Sequence, residues 1–197
     1  MLVALAGRRI DSSDAQIIRF SLEMKETVYK RILRFFQENN VTALISSAAC
    51  GADLLAQKAA HEINNQQTNP ELKKGANTNK IEQYIILPFE RERFRKTSVT
   101  DRPGDWGEMF DKICDEVKRQ EDLIVLNSFE NEEKAYSTVT TEILNQAESL
   151  KKTKYPDEKI VALVVREGIK ESERDETEAF ARKAAVRRIP VVEISTR

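Results

Sequence analysis

The chain has 197 residues, 33% of them charged and 40% hydrophobic, and its net charge is −1 at pH 7. This length accommodates a sizeable core, so we predict a single domain over residues 1–197, compatible with a domain excised from a longer protein. The near-neutral charge argues against a nucleic-acid partner, and no apolar run is long enough to cross a bilayer, so we expect a cytoplasmic location and no membrane partner. Two cysteines and one histidine provide too few ligands for a metal site, and we predict neither a metal nor a cofactor.

Apolar runs bounded by turn residues predict six strands, in chain order at Leu2–Ala6, Thr42–Ser46, Glu82–Leu87, Asp122–Leu126, Ile160–Val165 and Pro190–Ile194. Helical spacing of apolar residues predicts helices over 14–38, 51–64, 105–119, 134–150 and 176–187. Ser13 with Gln16 fits a capping box for the first helix, and Asp175 with Glu178 fits a cap for the last. Residues 64–80 are polar and predict a loop.

The alternation of strands and helices predicts a Rossmann-like α/β fold, a doubly wound, mainly parallel sheet with helices on both faces. Such sheets bind ligands at the carboxyl ends of their strands, near the point where the strand order reverses. If the first strand is central, the loop Gly7–Ser12 that follows it lies beside Ser46–Asp53. These loops are therefore the predicted place of a functional site.

Small residues join the second strand to the second helix, over Ser46–Asp53. They would let a phosphate or ribose approach a helix start, whose N–H groups and partial positive charge attract anions. Alternatively, the small residues only relieve crowding in a tight turn. Asp53 could accept hydrogen bonds from a ribose hydroxyl or from backbone N–H groups of a neighbouring loop. Cys50 fits a small buried residue better than a reactive thiol, although a helix start can lower a thiol pKa.

Two further segments place charge next to predicted strand ends. Arg8 and Arg9 follow the first strand, where guanidinium groups could clamp a phosphate or form a surface charge pair. The long segment 87–106 is typical of a lid or binding loop, in which Ser98 and Arg102 could contact phosphates and an aromatic ring could stack on a base. The alternative is a mixed-charge surface loop that its own aromatic residues pin to the core, namely Phe89, Phe94 and Trp106.

The segment Leu44–Ala56, Leu-Ile-Ser-Ser-Ala-Ala-Cys-Gly-Ala-Asp-Leu-Leu-Ala, resembles the Ser-Gly-Gly-Ala-x-Gly-Ala-Asp-x-Leu-Ala signature of the SLOG superfamily. These are Rossmann-like domains related to the LOG and DprA proteins. Ile86–Phe89, followed by Phe94, Ser98 and Trp106, resembles a bacterial subgroup in which the domain accompanies signalling or effector modules.

The resemblance implies binding of a nucleotide or nucleotide-derived signal, such as an ADP-ribose or NAD derivative. Together with the positional arguments it predicts the ligand-binding residues Gly7, Arg8, Arg9, Ser46, Ser47, Cys50, Gly51, Asp53, Pro88, Phe89, Ser98, Arg102 and Thr138. Ser47 and Ala48 replace the paired glycines of the signature, and their side chains leave a phosphate less room to approach the backbone. The Pro-Gly-Gly-x-Gly-Thr-x-x-Glu motif of LOG phosphoribohydrolases is absent, and its nearest counterpart, Ser137–Glu142, lacks every glycine.

We therefore expect a non-catalytic sensor whose ligand shifts a homo-oligomer or a fused effector domain between states. Its phosphates would rest on the start of the second helix, held by Arg8 and the Ser46 and Ser47 hydroxyls, and the loop 88–106 would close over the base. One alternative is an enzyme that hydrolyses the N-glycosidic bond of a nucleotide, with Glu142 or Asp53 stabilising the ribosyl cation. A second is single-stranded DNA binding, as in the DprA relatives.

Overall fold

The described strands all run parallel in one six-stranded sheet, seen here in a computed structural model. The structure describes residues 1–68, 80–119, 121–127, 132–168 and 175–197. The strands are β1 (Leu2–Gly7), β2 (Ala43–Ser46), β3 (Glu82–Leu87), β4 (Leu123–Val125), β5 (Ile160–Arg166) and β6 (Val191–Ser195).

Helices cover both faces of this sheet, so the predicted doubly wound α/β fold is confirmed. They are α1 (Lys25–Glu38), α2 (Ala52–Thr68), α3 (Arg91–Phe94), α4 (Trp106–Arg119), α5 (Glu132–Thr153) and α6 (Glu176–Val186). Val3 and Leu5 of β1 join the core formed with α1, α2 and α4, whereas Leu2 and Ala4 join the core formed with α5 and α6. Because both faces of β1 are buried, its sequence is continuously apolar. Among the described helices, none has the length and apolar character needed to cross a membrane.

The strand order, β4-β3-β2-β1-β5-β6, reverses beside the first strand. The chain moves outward from β1 to β4, returns through α5, and then adds β5 and β6 on the other side of β1. Gly7 at the end of β1 stands in register with Val165 near the end of β5. The loops that leave these two strands therefore diverge and open a crevice at the carboxyl edge of the sheet.

The first predicted helix is wrong over its N-terminal half, because α1 begins only at Lys25 after a short 3₁₀ turn over Leu22–Met24. The Asp11 carboxylate accepts hydrogen bonds of 2.8 Å from the backbone N–H groups of Arg19 and Phe20. These bonds close a loop that buries the Phe20 ring completely. A short aspartate side chain that satisfies backbone donors in this way competes with helix formation, so the capping box predicted at Ser13 does not form.

The other predicted boundaries hold to within a few residues, and Asp175 caps α6 as predicted, by accepting hydrogen bonds from the N–H groups of Thr177 and Glu178. The helix α2 extends to Thr68, into the predicted loop over 64–80, and residues 69–79 of that loop lie outside the described residues. The predicted loop after β3 contains α3 and a single π-helical segment over Arg95–Val99.

Gly51 provides a test of the contact between the turn after β1 and the start of α2. Its φ is +100°, and an added Cβ would lie 2.6 Å from the Arg8 carbonyl oxygen. We expect Gly51→Ala to lower the free energy of unfolding by about 2 to 4 kcal/mol, from backbone strain plus backbone displacement. Urea denaturation monitored by circular dichroism measures this change.

Gly168 is the matched control, because its φ is +84° but no described atom lies within 4 Å of an added Cβ. Gly168→Ala is expected to lower the free energy of unfolding by about 1 kcal/mol, from backbone strain alone. Equal losses for the two variants would contradict a tight contact at Gly51.

Candidate ligand-binding cleft

Two adjoining cavities occupy the crevice at the carboxyl edge of the sheet. The inner cavity has a volume of about 230 Å³ and lies between the end of β1, the start of α2 and one side of α5. The outer cleft, of about 460 Å³, lies between the turn after β1 and the start of α6. Four residues line both cavities, namely Gly7, Arg9, Glu176 and Thr177. The predicted site therefore corresponds to a real concavity at the switch in strand order.

The turn after β1 lies against the start of α2, as predicted for a central first strand. The N–H of Ala52 donates to the Arg8 carbonyl at 3.0 Å, and the N–H of Cys50 donates to the Ser98 carbonyl at 2.9 Å. These bonds occupy backbone donors that the sequence analysis assigned to a phosphate. The expectation that a ligand phosphate rests on the start of α2 is therefore corrected, since protein carbonyls already satisfy those N–H groups.

Asp53, in the first turn of α2, is the most unusual polar group of the cleft. Its side chain lines the inner cavity, its residue exposure is 7%, and Oδ1 has no hydrogen-bond partner among the described residues. Burial raises the pKa of this carboxyl to about 7, against the opposing effects of the Ala49 and Gly7 N–H groups and of the Arg9 guanidinium. A carboxyl with one oxygen that no described donor reaches, at a cavity wall, can accept a hydrogen bond from a ligand or, when protonated, donate one.

Hydroxyl groups and aromatic edges form much of the remaining wall of the inner cavity. The hydroxyl groups of Ser98 and Tyr136 share a hydrogen bond of 2.8 Å, which connects the segment after β3 to α5. Thr140 accepts a hydrogen bond of 2.8 Å from the Lys183 amine. Ser98, Tyr136 and Thr140 all line the cavity, together with Phe94 and Ser47. This wall can offer hydrogen bonds to a polar, uncharged group and an aromatic surface to a flat one.

Arg8 does not point to a free phosphate site. Its guanidinium donates to both carboxylate oxygens of Glu167, at 3.0 and 3.2 Å, and forms an ion pair with Asp175. The Arg8, Glu167 and Asp175 side chains are mostly buried. The expected role of Arg8 as a phosphate clamp is therefore corrected to a structural one, joining the turn after β1 to the residues on either side of the β5–α6 connection.

Arg9 and Arg102 are the cations of the outer cleft that retain unused hydrogen-bonding capacity. Both contact the single carboxylate of Asp101, Arg9 through a short hydrogen bond and Arg102 at 3.5 Å from Nε. The Nε atoms of both arginines are buried and donate no hydrogen bond to any residue of the described ranges. Each of these guanidinium groups keeps a donor that no described acceptor uses and that an anionic ligand group can engage, while Asp11, Asp175 and Glu176 line the same cleft.

Several other predicted residues lie outside the cavity walls. The Ser46 hydroxyl donates to the Ser47 carbonyl and accepts from Gln57, so it is committed to the core. Thr138 donates to Lys134 within α5. Glu142, also on α5, accepts from Asn145 and does not line either cavity.

The segment after β3 is attached to the core through its aromatic residues, so Phe89 and Trp106 are not available for the stacking on a base that an aromatic ring of this segment was expected to provide. Pro88 is buried, and the Phe89 ring packs against Phe94 and Tyr136 at centroid distances of 6.2 and 5.8 Å. Trp106 is fully buried. The Cys50 thiol is buried as well, and burial raises its pKa while the neighbouring Arg9 guanidinium opposes that shift.

Tertiary structure also brings to the cleft residues that the sequence did not predict there. Asp101 bridges the two arginines, and Glu176 and Thr177 line both cavities. Glu176 and Thr177 begin the helix after β5, so the rule that ligands bind after strands at the order reversal could have identified them. Within the described ranges, no group of three His, Cys, Asp or Glu side chains is placed to hold a metal ion.

Comparison with known proteins adds no family assignment. No protein-family model matches the chain, and no curated protein matches it either. The resemblance to the SLOG superfamily therefore stays a prediction.

The environment of Asp53 predicts a specific pH dependence of stability. Burial raises the pKa of this carboxyl in the folded state from 3.8 to about 7, so folding favours its protonated form. This shift in pKa stabilises the folded state by up to about 4 kcal/mol below about pH 4, and the stabilisation is lost as the pH rises through 7. We expect the free energy of unfolding of the natural chain to fall, relative to that of Asp53→Asn, over this interval.

Urea denaturation of both proteins at several pH values between about 4 and 8 measures this difference. Asp157→Asn, at an exposed position, serves as the control, and its free energy of unfolding should change with pH in parallel with that of the natural chain. A difference between the natural chain and Asp53→Asn that does not change with pH would contradict the raised pKa.

Proposed function

We propose that this protein binds a nucleotide or nucleotide-derived ligand in the cleft at the carboxyl edge of its sheet and acts as a ligand-sensing regulatory domain. The observation that carries the proposal is the combination, in one concavity, of an anion-seeking arginine pair and a buried carboxyl with an unused acceptor. A doubly wound sheet binds ligands at this place in its topology. The resemblance to SLOG domains supports the same ligand class.

The anionic part of the ligand is assigned to Arg9 and Arg102 in the outer cleft. When a phosphate displaces Asp101, its oxygens can accept hydrogen bonds from the two guanidinium groups, whose buried Nε–H groups have no acceptor in the described structure. In binding there, the phosphate competes with Asp101 for the same guanidinium groups. Asp101 thus occupies the anion site in the absence of ligand, and its displacement accompanies binding.

The uncharged part of the ligand is assigned to the inner cavity. A ribose carries hydroxyl groups that can interact with the polar wall near Ser98 and Thr140, and binding that exposes the buried Oδ1 of Asp53 lets one of them donate to it. The partly exposed ring of Tyr136 offers the apolar contact that a base requires, while the Phe94 ring that also lines the cavity is 1% exposed. Because Gly7 is shared by both cavities, one ligand can span from Arg9 to Asp53 across its backbone.

Sensing follows from the position of Asp101. It lies in the segment between β3 and α4, whose Ser98 contacts both the start of α2 and Tyr136 of α5. A ligand that replaces Asp101 therefore alters a segment that bridges both helical layers. A regulatory effect needs a ligand that binds one conformation better than another, and this competition provides the difference.

A thermal-shift panel tests the ligand class, with AMP, ADP-ribose, NAD and unphosphorylated adenosine as probes. A ligand that binds only the folded chain raises Tm by mass action, so at least one phosphorylated probe should raise it more than adenosine does. Absence of a shift across the whole panel would refute nucleotide binding.

The N-glycosidase alternative retains one of its two candidate carboxyl groups, since Asp53 lines the inner cavity and Glu142 does not. Chromatography of the same AMP and NAD samples after incubation detects any released base. Release that Asp53→Asn abolishes would replace the sensor proposal with hydrolysis, whereas binding without release supports sensing.

Substitutions in the outer cleft test the position of the phosphate. Arg102→Ala should lower the affinity for the phosphorylated probe about tenfold, because a charge-assisted contact is lost. It should leave the Tm of the unliganded protein nearly unchanged. Asp101→Asn should strengthen binding of the same probe, because the competing negative charge is removed. Isothermal titration calorimetry measures both affinities.

Arg34→Ala is the matched control, since Arg34 is exposed on α1 and, among the described residues, pairs with Glu38 alone. Its affinity for the probe should equal that of the natural chain. Weaker binding by Asp101→Asn would contradict the competition between Asp101 and phosphate.

A further inference from the structure

A second concavity lies at the opposite end of the sheet from the cleft. It is a groove of about 640 Å³ formed where α5 and α6 end and where β5 and β6 begin. We call it the basic groove, and its lining residues are Glu148, Lys151, Lys152, Pro156, Lys159, Ile160, Arg187, Arg188, Ile189 and Pro190. Nothing in the proposed function uses these residues.

The charge of the basic groove is strongly one-sided, with five cationic side chains and the single carboxylate of Glu148. Glu148 is already paired with Arg187 at 3.0 Å. The Lys151 amine donates to the Pro156 and Glu158 carbonyls, at 3.1 and 2.5 Å. This local excess of positive charge contrasts with a net charge of −1 for the whole chain.

Three cations of the groove are exposed and unused. The side chains of Lys152, Lys159 and Arg188 form no hydrogen bond or ion pair with any residue in the part of the chain that the structure describes. Cations near the ends of α5 and α6 do favour the negative ends of the helix dipoles. That effect does not require a concave surface, however, and Lys159 belongs to neither helix.

The rest of the lining is apolar, and apolar side chains continue beyond it. Ile160, Ile189 and Pro190 line the groove between the cations. Val186 is 84% exposed and Val191 is 36% exposed, one on each side of the Arg187–Pro190 segment. A partner for this surface therefore needs negative charges to meet the rim and apolar side chains to meet the groove and its surroundings.

We infer that the basic groove docks an acidic segment of a partner protein, in which carboxylates alternate with apolar side chains. The carboxylates pair with Lys152, Lys159 and Arg188, and the apolar side chains cover Ile160, Ile189 and the exposed valines. A nucleic-acid backbone would use the cations but not the apolar surface, and no aromatic side chain lines the groove for stacking on bases. An acidic peptide satisfies both features.

The test uses a fluorescein-labelled peptide of glutamate and leucine, a matched peptide with lysine in place of glutamate, and single-stranded oligothymidylate. Fluorescence anisotropy at low salt measures the affinity of the natural chain for each probe. We expect binding of the acidic peptide, no binding of the basic one, and weaker binding of oligothymidylate.

The groove variant is Lys152→Glu, Lys159→Glu, Arg188→Glu, and the matched variant with the same change in net charge is Lys112→Glu, Lys118→Glu, Arg119→Glu on α4. All six side chains are exposed, so both variants should keep the circular dichroism spectrum of the natural chain. The groove variant should bind the acidic peptide about tenfold more weakly or worse, because three pairings become repulsions, and the α4 variant should stay within about twofold.

Three results would overturn the inference. They are no binding of the acidic peptide by the natural chain, equal losses in the two variants, and tighter binding of oligothymidylate than of the acidic peptide, which would indicate a nucleic-acid surface. None of them bears on the cleft, where the nucleotide panel gives a separate answer.

Discussion

The close approach of two backbone turns determines the shape of the cleft. The N–H of Ala52 donates to the Arg8 carbonyl, and Gly51 lies so near Arg8 that a side chain there would displace it. This contact brings the Arg9 guanidinium to the vicinity of Cys50 and Asp53. It also uses helix-start donors that would otherwise face solvent, so the first turn of α2 becomes part of a wall and does not form an open anion site.

The arginines around the cleft differ in how completely their charges are paired. Arg8 is held by two carboxylates, and removing it would leave these buried negative charges with Arg19, at 3.9 Å from each, in place of a direct partner. Arg9 and Arg102 share Asp101 and keep buried Nε–H donors for which the described residues provide no acceptor. In the proposed function, ligand binding would therefore change the partners of Arg9 and Arg102 while Arg8 and its carboxylates stay in place.

The parallel sheet also separates two surfaces of different character. The carboxyl edge carries a cleft in which acids and bases face each other, and the amino edge carries a groove with exposed, unpaired cations. The strand β5 runs from one to the other, since Ile160 lines the groove and Arg166 precedes the Glu167 that holds Arg8. A ligand site and a partner site at opposite ends of one strand would suit a sensing domain, although each rests on its own observations.

Local pattern was sufficient to predict the strands, most helices, the α/β class and the place of the cleft, because burial on both faces imposes continuous apolar runs and parallel topology brings strand ends together. The positions of Gly7, Ser47 and Asp53 at one cavity followed from the same reasoning, whereas Ser98 was predicted from the length and composition of the segment after β3. The pairing of charges was decided only by the tertiary structure. Arg8 and Arg9 are adjacent in sequence, yet one faces Glu167 and the other Asp101, because side-chain direction and long-range neighbours select the partner. Likewise, Asp11 prevented the first helix from starting early through contacts that arise only when the loop closes on the buried Phe20.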